Sequence, residues 1–155
     1  MGIKFDGEFT VTSSPADTYA FLADPEKFAP CLPTFKSIEV KGPKTALVKI
    51  GIGVGKIRGT AGITLELDDS GAPDCAAYDG KGSIMGGAFN FATDFKLEAA
   101  DAGTVVHWTG DLSMFGKIVS LAGGLIRPIA KKDIKRLIAA LEAELSPDLA
   151  EGAAG

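Results

Sequence analysis

Apolar and polar residues alternate strictly near the start of the chain. From Ile3 to Val11 every odd position is apolar or glycine, and every even position is polar. This is the period of a β-strand that has one face in water. The pattern therefore predicts a first strand whose odd positions line a core.

Two short helices are predicted directly after this strand. Ser14 and Pro15 match an N-cap followed by a first-turn proline, and apolar positions continue to about Asp24. Residues 26–29 form a second helical turn. Residues 31 and 32 lie between two prolines, and a residue before proline avoids the helical region, so the chain should become extended there.

Five or six further strands are expected between residue 35 and residue 115. Turn signals recur about every ten to twelve residues, which indicates an antiparallel meander. They lie at residues 42–43, 53–55, 69–73, 86–87 and 101–103. One face of each strand is apolar, and the opposite positions hold residues such as Lys49, Glu66 and Asp94, which should face water.

After Phe115 the period changes to that of a helix. Apolar residues recur mostly every three or four positions from Ile118 to Leu145, which predicts a long amphipathic helix that ends at Ser146. Residues 1–146 are expected to form one domain, with a flexible tail at 147–155. The apolar faces are all buried only if the sheet curls around this helix. The fold class is therefore α+β, with a helix-grip arrangement of about seven antiparallel strands.

Composition and charge exclude several classes of protein. No run approaches the roughly 18 uncharged apolar residues of a membrane span, and the start lacks a signal peptide, so a cytoplasmic protein is expected. The net charge of −4 argues against nucleic acid as a partner. Residues 127–136 nevertheless carry +4, which leaves −8 for the rest.

This basic segment has two interpretations. Exposed cations beside an apolar stripe often form only a solvated helix face. Cations repeating on one line also suit an anionic membrane surface or an acidic partner. The candidate docking patch consists of Arg127, Lys131, Lys132 and Lys135.

The residues that could carry chemistry favour no catalytic or metal site. Gly51 to Lys56 lacks the spacing of a phosphate loop and is better explained as a hairpin turn. His107, the only histidine, has the outward parity of its strand, and the strand carboxylates share outward parity. Tyr78 could point either way. Cys31 and Cys75 are expected to be free thiols.

Residues 21–33, with the sequence FLADPEKFAPCLP, resemble the signature of the family named after the G subunit of carbon monoxide dehydrogenase. This is a START-like family of the polyketide-cyclase-like superfamily, and the resemblance extends from about Phe5 to Leu145. Further matching runs are at residues 80–82, 103–104 and 115–117. The chain departs from the family at Thr34, where glycine is usual, and at residues 137–141, which lack the usual aromatic pair.

The resemblance implies an apolar cavity and an accessory, non-catalytic role beside a molybdenum hydroxylase. It further implies a bound quinone, a similar isoprenoid or a lipid, with no other cofactor. Some family members carry a C-terminal membrane-anchoring extension, which is not expected here, so the resemblance does not imply membrane tethering. Peripheral contact with the inner face of the membrane through the basic segment remains open. Two other functions also remain open, a polyketide cyclase or dehydratase-like enzyme and an assembly chaperone without a ligand.

The apolar inward face could form either a close-packed core or the wall of a ligand cavity. Interiors normally leave few voids. Small inward positions such as Ala61 and Gly110 nevertheless alternate with large ones, and a sheet curled around one helix leaves space at its open end. The predicted ligand-binding residues are Val48, Ile50, Ile63, Phe89, Phe91, Trp108, Leu112, Leu121 and Leu125.

Overall fold

A computed structural model describes residues 2–54, 57–84 and 87–146, with seven strands and one long helix among them. The strands are β1 (Gly2–Val11), β2 (Phe35–Val40), β3 (Thr45–Val54), β4 (Ile57–Asp68), β5 (Cys75–Ile84), β6 (Gly87–Ala100) and β7 (Gly103–Gly116). The helices are α1 (Pro15–Leu22), α2 (Pro25–Phe28), a 3₁₀ turn (Ala29–Cys31) and α3 (Lys117–Leu145). The predicted tail at 147–155 and the centre of the predicted turn at Gly55 and Lys56 lie outside the described residues.

All seven strands form one antiparallel sheet in the order β1-β7-β6-β5-β4-β3-β2. Strands β2 to β7 are a simple meander, as the spacing of the turns predicts. Strand β1 pairs with β7 from Gly2 opposite Ser113 to Val11 opposite Thr104. The α1 and α2 segment therefore crosses from one edge of the sheet to the other.

Helix α1 begins where the sequence places it, and α2 begins at Pro25, one residue before the predicted turn at 26–29. Ser14 caps α1 by accepting a hydrogen bond from the backbone N–H of Asp17 at 3.2 Å, and Asp24 caps α2 by accepting one from Glu26 at 3.0 Å. The expectation that Cys31 is extended is wrong. Pro30 fits the 3₁₀ turn, which closes with a bond from Leu32 N–H to the Ala29 carbonyl at 2.9 Å, and only Leu32 is extended.

The C-terminal end of α3 is fixed to the start of α1. The Leu145 carbonyl accepts hydrogen bonds from the backbone N–H and the hydroxyl of Ser13, at 3.0 and 2.7 Å. The hydroxyl of Ser146 accepts one from the Thr12 N–H at 3.1 Å. The bonds to Leu145 satisfy a carbonyl that a helix end leaves unpaired. Together the three bonds hold this end of the helix over the sheet.

An aromatic cluster next to α2 forms part of the core. Phe28 stacks on Tyr78 with ring centroids 4.7 Å apart, and Phe95 meets Phe28 edge-on at 5.6 Å. Tyr78 faces inward, with its hydroxyl donating to the Leu22 carbonyl at 2.6 Å. The open question about its direction is thereby resolved, because a buried hydroxyl normally requires such a partner.

Candidate functional site: an apolar cavity beneath the long helix

A cavity of about 510 Å³ lies between α3 and the concave face of the sheet. Its volume falls in the range of roughly 300 to 1,000 Å³ that small-molecule sites occupy. The apolar residues of its wall come from the sheet and from the helix. They include Phe5, Ile50, Ile63, Phe89, Phe91, Phe95, Trp108, Leu112 and Met114 from the sheet and Ile118, Ile126, Ile129, Ile134, Leu137, Ile138 and Leu141 from α3.

The floor of the cavity consists of aromatic rings that lie across glycines of neighbouring strands. Phe91 is paired with Gly80, and Phe89 with Gly82. A Cβ atom on Gly82 would lie 2.5 Å from the Phe89 ring, and one on Gly80 would overlap the Phe91 ring. Each ring occupies the space where a side chain of its partner would otherwise lie. The volume above the sheet therefore stays open.

Trp108 of β7 follows the same arrangement. It pairs with Gly7 of β1, and a Cβ there would lie 2.9 Å from the indole. Its Nε1–H is buried without a hydrogen-bond partner among the described residues. Trp108 is also the only tryptophan of the chain, which makes it a natural probe of this wall.

Six of the predicted ligand-binding residues line this cavity. They are Ile50, Ile63, Phe89, Phe91, Trp108 and Leu112. Val48 is fully buried in the core and is not part of the wall. The side chain of Leu121 lies outside the described part of the chain.

Leu125 does not line the cavity, and its side chain is 47 % exposed. The line of α3 that faces the cavity runs through Ile126, Ala130, Asp133, Leu137 and Leu141, at intervals of three or four residues. Leu125 lies on the neighbouring line of α3, which also carries Ile129, Lys132 and Arg136 of the cavity wall. The angular position on the helix therefore does not by itself explain the exposure of Leu125.

Asp133 is a carboxylate at the centre of the cavity-facing line of α3. Burial raises the pKa of Asp133 above its ordinary value, and the neighbouring charges of Arg136 and Lys132 oppose this shift. Lys132 and Arg136 belong to the same wall. The alternation of residues along the strands could not identify Asp133, because this residue lies on the helix. The helical spacing of the apolar residues around it does place it on the cavity-facing line.

Thr34 lies at the rim of the cavity in a left-handed backbone conformation, with φ of 59°. Such a conformation is uncommon for a β-branched residue and favours glycine. This preference explains why the family that the sequence resembles usually has glycine at this position. Two bonds to β3 hold it in place. The Thr34 hydroxyl donates to the Gly51 carbonyl at 2.7 Å, and the Gly51 N–H donates to the Thr34 carbonyl at 2.9 Å.

The four residues of the candidate docking patch are all exposed, but they have different surroundings. The Arg127 guanidinium lies over the Phe5 ring, 5.8 Å from its centroid, in cation–π geometry. Lys132 lines the cavity. Arg127, Lys131 and Lys135 are exposed residues outside the cavity wall. Because Arg127 is engaged with Phe5, a docking role concerns the two lysines first.

Asp111 of β7 also belongs to the cavity wall, although strand parity predicts that it faces outward. His107 and the two cysteines do not line the cavity. His107 faces outward as predicted, with its ring nitrogens 3.2 Å from Glu8 and 2.9 Å from Glu98. The cysteines are free, and burial raises the pKa of the Cys31 thiol to about 11. Over residues 2–54, 57–84 and 87–146, no group of three or more His, Cys, Asp or Glu could hold a metal ion. None of the helices there is long and apolar enough to cross a membrane.

A curved antiparallel sheet closed by a long C-terminal helix over an apolar cavity defines the START-like, helix-grip class of proteins. Three solved structures share this fold along nearly the whole chain. A conserved protein from Geobacillus kaustophilus has a TM-score of 0.80 at 19 % identity, covering 92 % of this chain and 95 % of that one. The Zhui aromatase/cyclase from Streptomyces sp. R1128 has a TM-score of 0.68 at 15 % identity, covering 94 % of each chain. A START superfamily protein from Mycobacterium smegmatis has a TM-score of 0.68 at 14 % identity, covering 93 % and 96 %.

The family model for the G subunit of carbon monoxide dehydrogenase (CoxG) matches residues 7–146. The chain belongs to the CoxG family. No curated protein matches it.

Proposed function

We propose that this protein is a non-catalytic carrier that holds an apolar small molecule, a quinone or a related isoprenoid, in the cavity beneath α3. The observation that carries the proposal is the open volume of about 510 Å³ with its mainly apolar wall. The family name supports an accessory role beside an enzyme of the carbon monoxide dehydrogenase type, which we take to be a molybdenum hydroxylase.

The nature of the wall favours binding over catalysis. Catalytic acid and base groups need to converge on one reacting atom. Two polar side chains of the concave face already have internal partners, since Tyr78 donates to Leu22 and Thr93 donates to the Thr109 carbonyl at 2.8 Å. Most of what the wall offers a ligand is apolar contact area, and such area contributes about 25 cal/mol per Å² buried.

The test has two parts. Purified protein is extracted with an apolar solvent, and the extract is examined by mass spectrometry for a quinone or another isoprenoid. Trp108 fluorescence is then followed during titration of the stripped protein with 2-methyl-1,4-naphthoquinone, with N-acetyltryptophanamide as the control for collisional quenching. Saturable quenching beyond that control supports the carrier. An empty extract together with control-like quenching would contradict it.

A second candidate function is a cyclase or dehydratase-like activity. Asp133 within the cavity wall favours it, because a half-buried acid with a raised pKa is a common catalytic group. The test is chromatographic detection of a cyclised product from an aromatic poly-β-ketone substrate. Product formed by the wild type and lost in Asp133→Asn would establish this activity, whereas an unchanged substrate favours the carrier.

The third alternative, an assembly chaperone without a ligand, receives less support. It requires a filled core and a broad apolar surface patch. The cavity is inconsistent with a filled core. The exposed large apolar side chains among the described residues are Val40, Phe115 and Leu125.

A further inference from the structure

The cavity wall contains one ionisable group on its central line. Asp133 lies between Ala130 and Leu137 on the line of α3 that faces the sheet. Its side chain keeps 46 % of its surface accessible although burial raises its pKa. Partial burial of a carboxyl group is unfavourable unless the group gains a polar partner.

Arg136 stands beside this carboxyl without forming a hydrogen bond to it. The distance from Arg136 Nη1 to Asp133 Oδ1 is 4.0 Å, whereas a direct N–H···O bond spans about 2.7 to 3.2 Å. The carboxylate therefore retains acceptor capacity towards the cavity, and the guanidinium retains donors. An acceptor and a donor are available side by side in a wall that is otherwise mainly apolar.

The charges of the wall cancel. Lys132 and Arg136 carry two positive charges, and Asp111 and Asp133 carry two negative ones. A net-neutral wall gives no general attraction for an ionised ligand, and a carboxylate brought next to Asp133 would be repelled. The wall is thus suited to a neutral molecule that carries hydrogen-bonding oxygen atoms.

We propose that Asp133 and Arg136 form a polar subsite that binds the oxygen atoms of a neutral apolar ring compound. A ring carbonyl accepts a hydrogen bond from Arg136, and a ring hydroxyl donates one to Asp133. The subsite can therefore hold both the quinone and the quinol form of one ring. This inference rests on the proposed function, because it assigns the ligand class of the same cavity.

Four probes on a naphthalene frame test the subsite by isothermal titration calorimetry at pH 7. They are 2-methyl-1,4-naphthoquinone, its quinol under anaerobic conditions, 2-methylnaphthalene and 2-naphthoate. The quinone and quinol should bind about tenfold more tightly than the other two, since each gains a charge-assisted hydrogen bond. Shape and apolar area are nearly constant across the set, so the difference reports the polar contact.

Two variants then assign the contacts. Asp133→Leu should weaken quinol binding about tenfold and leave or improve the binding of 2-methylnaphthalene. Arg136→Met should weaken quinone binding by a similar factor. Glu142→Leu is the matched control, because Glu142 is an exposed carboxylate of α3 outside the cavity wall, and it should change none of the affinities.

The outcomes separate this inference from the proposed function. Equal affinity of the wild type for the quinone and the hydrocarbon, or an equal loss for all probes in Asp133→Leu, would overturn the subsite and leave the carrier intact. Failure of all four probes to bind the folded wild type would overturn both. Asp133→Leu extends an apolar line, so it should fold, and circular dichroism checks that it does.

Discussion

The ring of Phe91 lies across Gly80, its partner on the neighbouring strand, and occupies the place of the missing side chain. The pairs Phe89 with Gly82 and Trp108 with Gly7 repeat this relationship. Side chains at directly opposed positions normally compete for the same space above a sheet. Glycine has no side chain, so the opposing ring packs flat against the sheet and the cavity remains open above it.

Gly80→Ala should therefore lift the Phe91 ring into the cavity. We expect a loss of about 1 to 3 kcal/mol in the free energy of unfolding, as for other overpacked cores, and weaker binding of 2-methyl-1,4-naphthoquinone. Urea unfolding and calorimetry measure the two effects.

Gly62→Ala is the matched control for this substitution. Gly62 lies on β4, and the nearest atom to its Cβ would be Leu47 Cδ1 at 3.8 Å, an ordinary contact. It should be neutral or stabilising by up to about 1 kcal/mol, because alanine lowers the entropy of the unfolded chain. If Gly80→Ala behaves like Gly62→Ala, the rings do not depend on the glycines.

The hydroxyl of Thr34 is expected to offset the cost of its left-handed backbone. Thr34→Val keeps the branched side chain and loses the bond to Gly51, so it should destabilise by about 1 to 2 kcal/mol. Thr34→Gly loses the bond but relieves the conformation, so it should lie within about 1 kcal/mol of the wild type. Thermal or urea unfolding of both variants checks this order, and an equally stable valine variant would contradict it.

Ionisation of Asp133 should cost stability. Its pKa in the folded state is raised above the ordinary 3.8, so the folded state binds the proton more strongly than the unfolded state does. The stability that the neutral form provides is present below pH 3.8 and is lost as the pH rises through the raised pKa. Asp133→Leu has no carboxyl group and does not lose this stability. The difference between its free energy of unfolding in urea and that of the wild type should therefore increase, in favour of the variant, from pH 3 to pH 7. A difference that stays constant or decreases would contradict the raised pKa of Asp133.

The sequence predicts the elements well, because each has its own period. The alternation from Ile3 to Val11 and the helical spacing after Phe115 correspond to β1 and α3. Features that depend on register are not predictable in this way. Gly80 faces Phe91 only once β5 and β6 are aligned, and the exposure of Leu125 depends on how α3 lies on the sheet, which the spacing of its apolar residues does not give.

The exposed lysines of α3 are expected to serve as a docking surface for an anionic membrane or an acidic partner. Changing Lys131 and Lys135 to Glu should weaken binding to vesicles containing phosphatidylglycerol, with at most about 0.5 kcal/mol of stability change per site. Lys49→Glu with Lys96→Glu, on the outer face of the sheet, is the control with the same change in net charge. If both double variants bind like the wild type, the lysines form only a solvated face.

The segment from Gly116 to Pro128, which contains the first half of α3, is expected to act as the gate through which a ligand enters the cavity. Ile118 and Ile126 of this segment line the wall, whereas the far end of the helix is fixed by the bonds at Leu145 and Ser146. Pro128 lies inside the continuous helix and has no N–H to donate to the carbonyl of Gly124. This turn is therefore the easiest part of α3 to open locally.

Changing Gly123 and Gly124 to Ala tests the gate. Beyond the backbone of the helix itself and the adjoining residues, no atom lies within 4 Å of either Cβ position, so each alanine should stabilise the helix by about 1 kcal/mol without a clash. A stiffer segment opens less often, so stopped-flow measurements should show slower entry and release of 2-methyl-1,4-naphthoquinone. Both rates should fall by a similar factor, because the equilibrium affinity depends on the wall and not on the gate. A double variant that is more stable but exchanges the quinone at the wild-type rate would show that the ligand enters by another route.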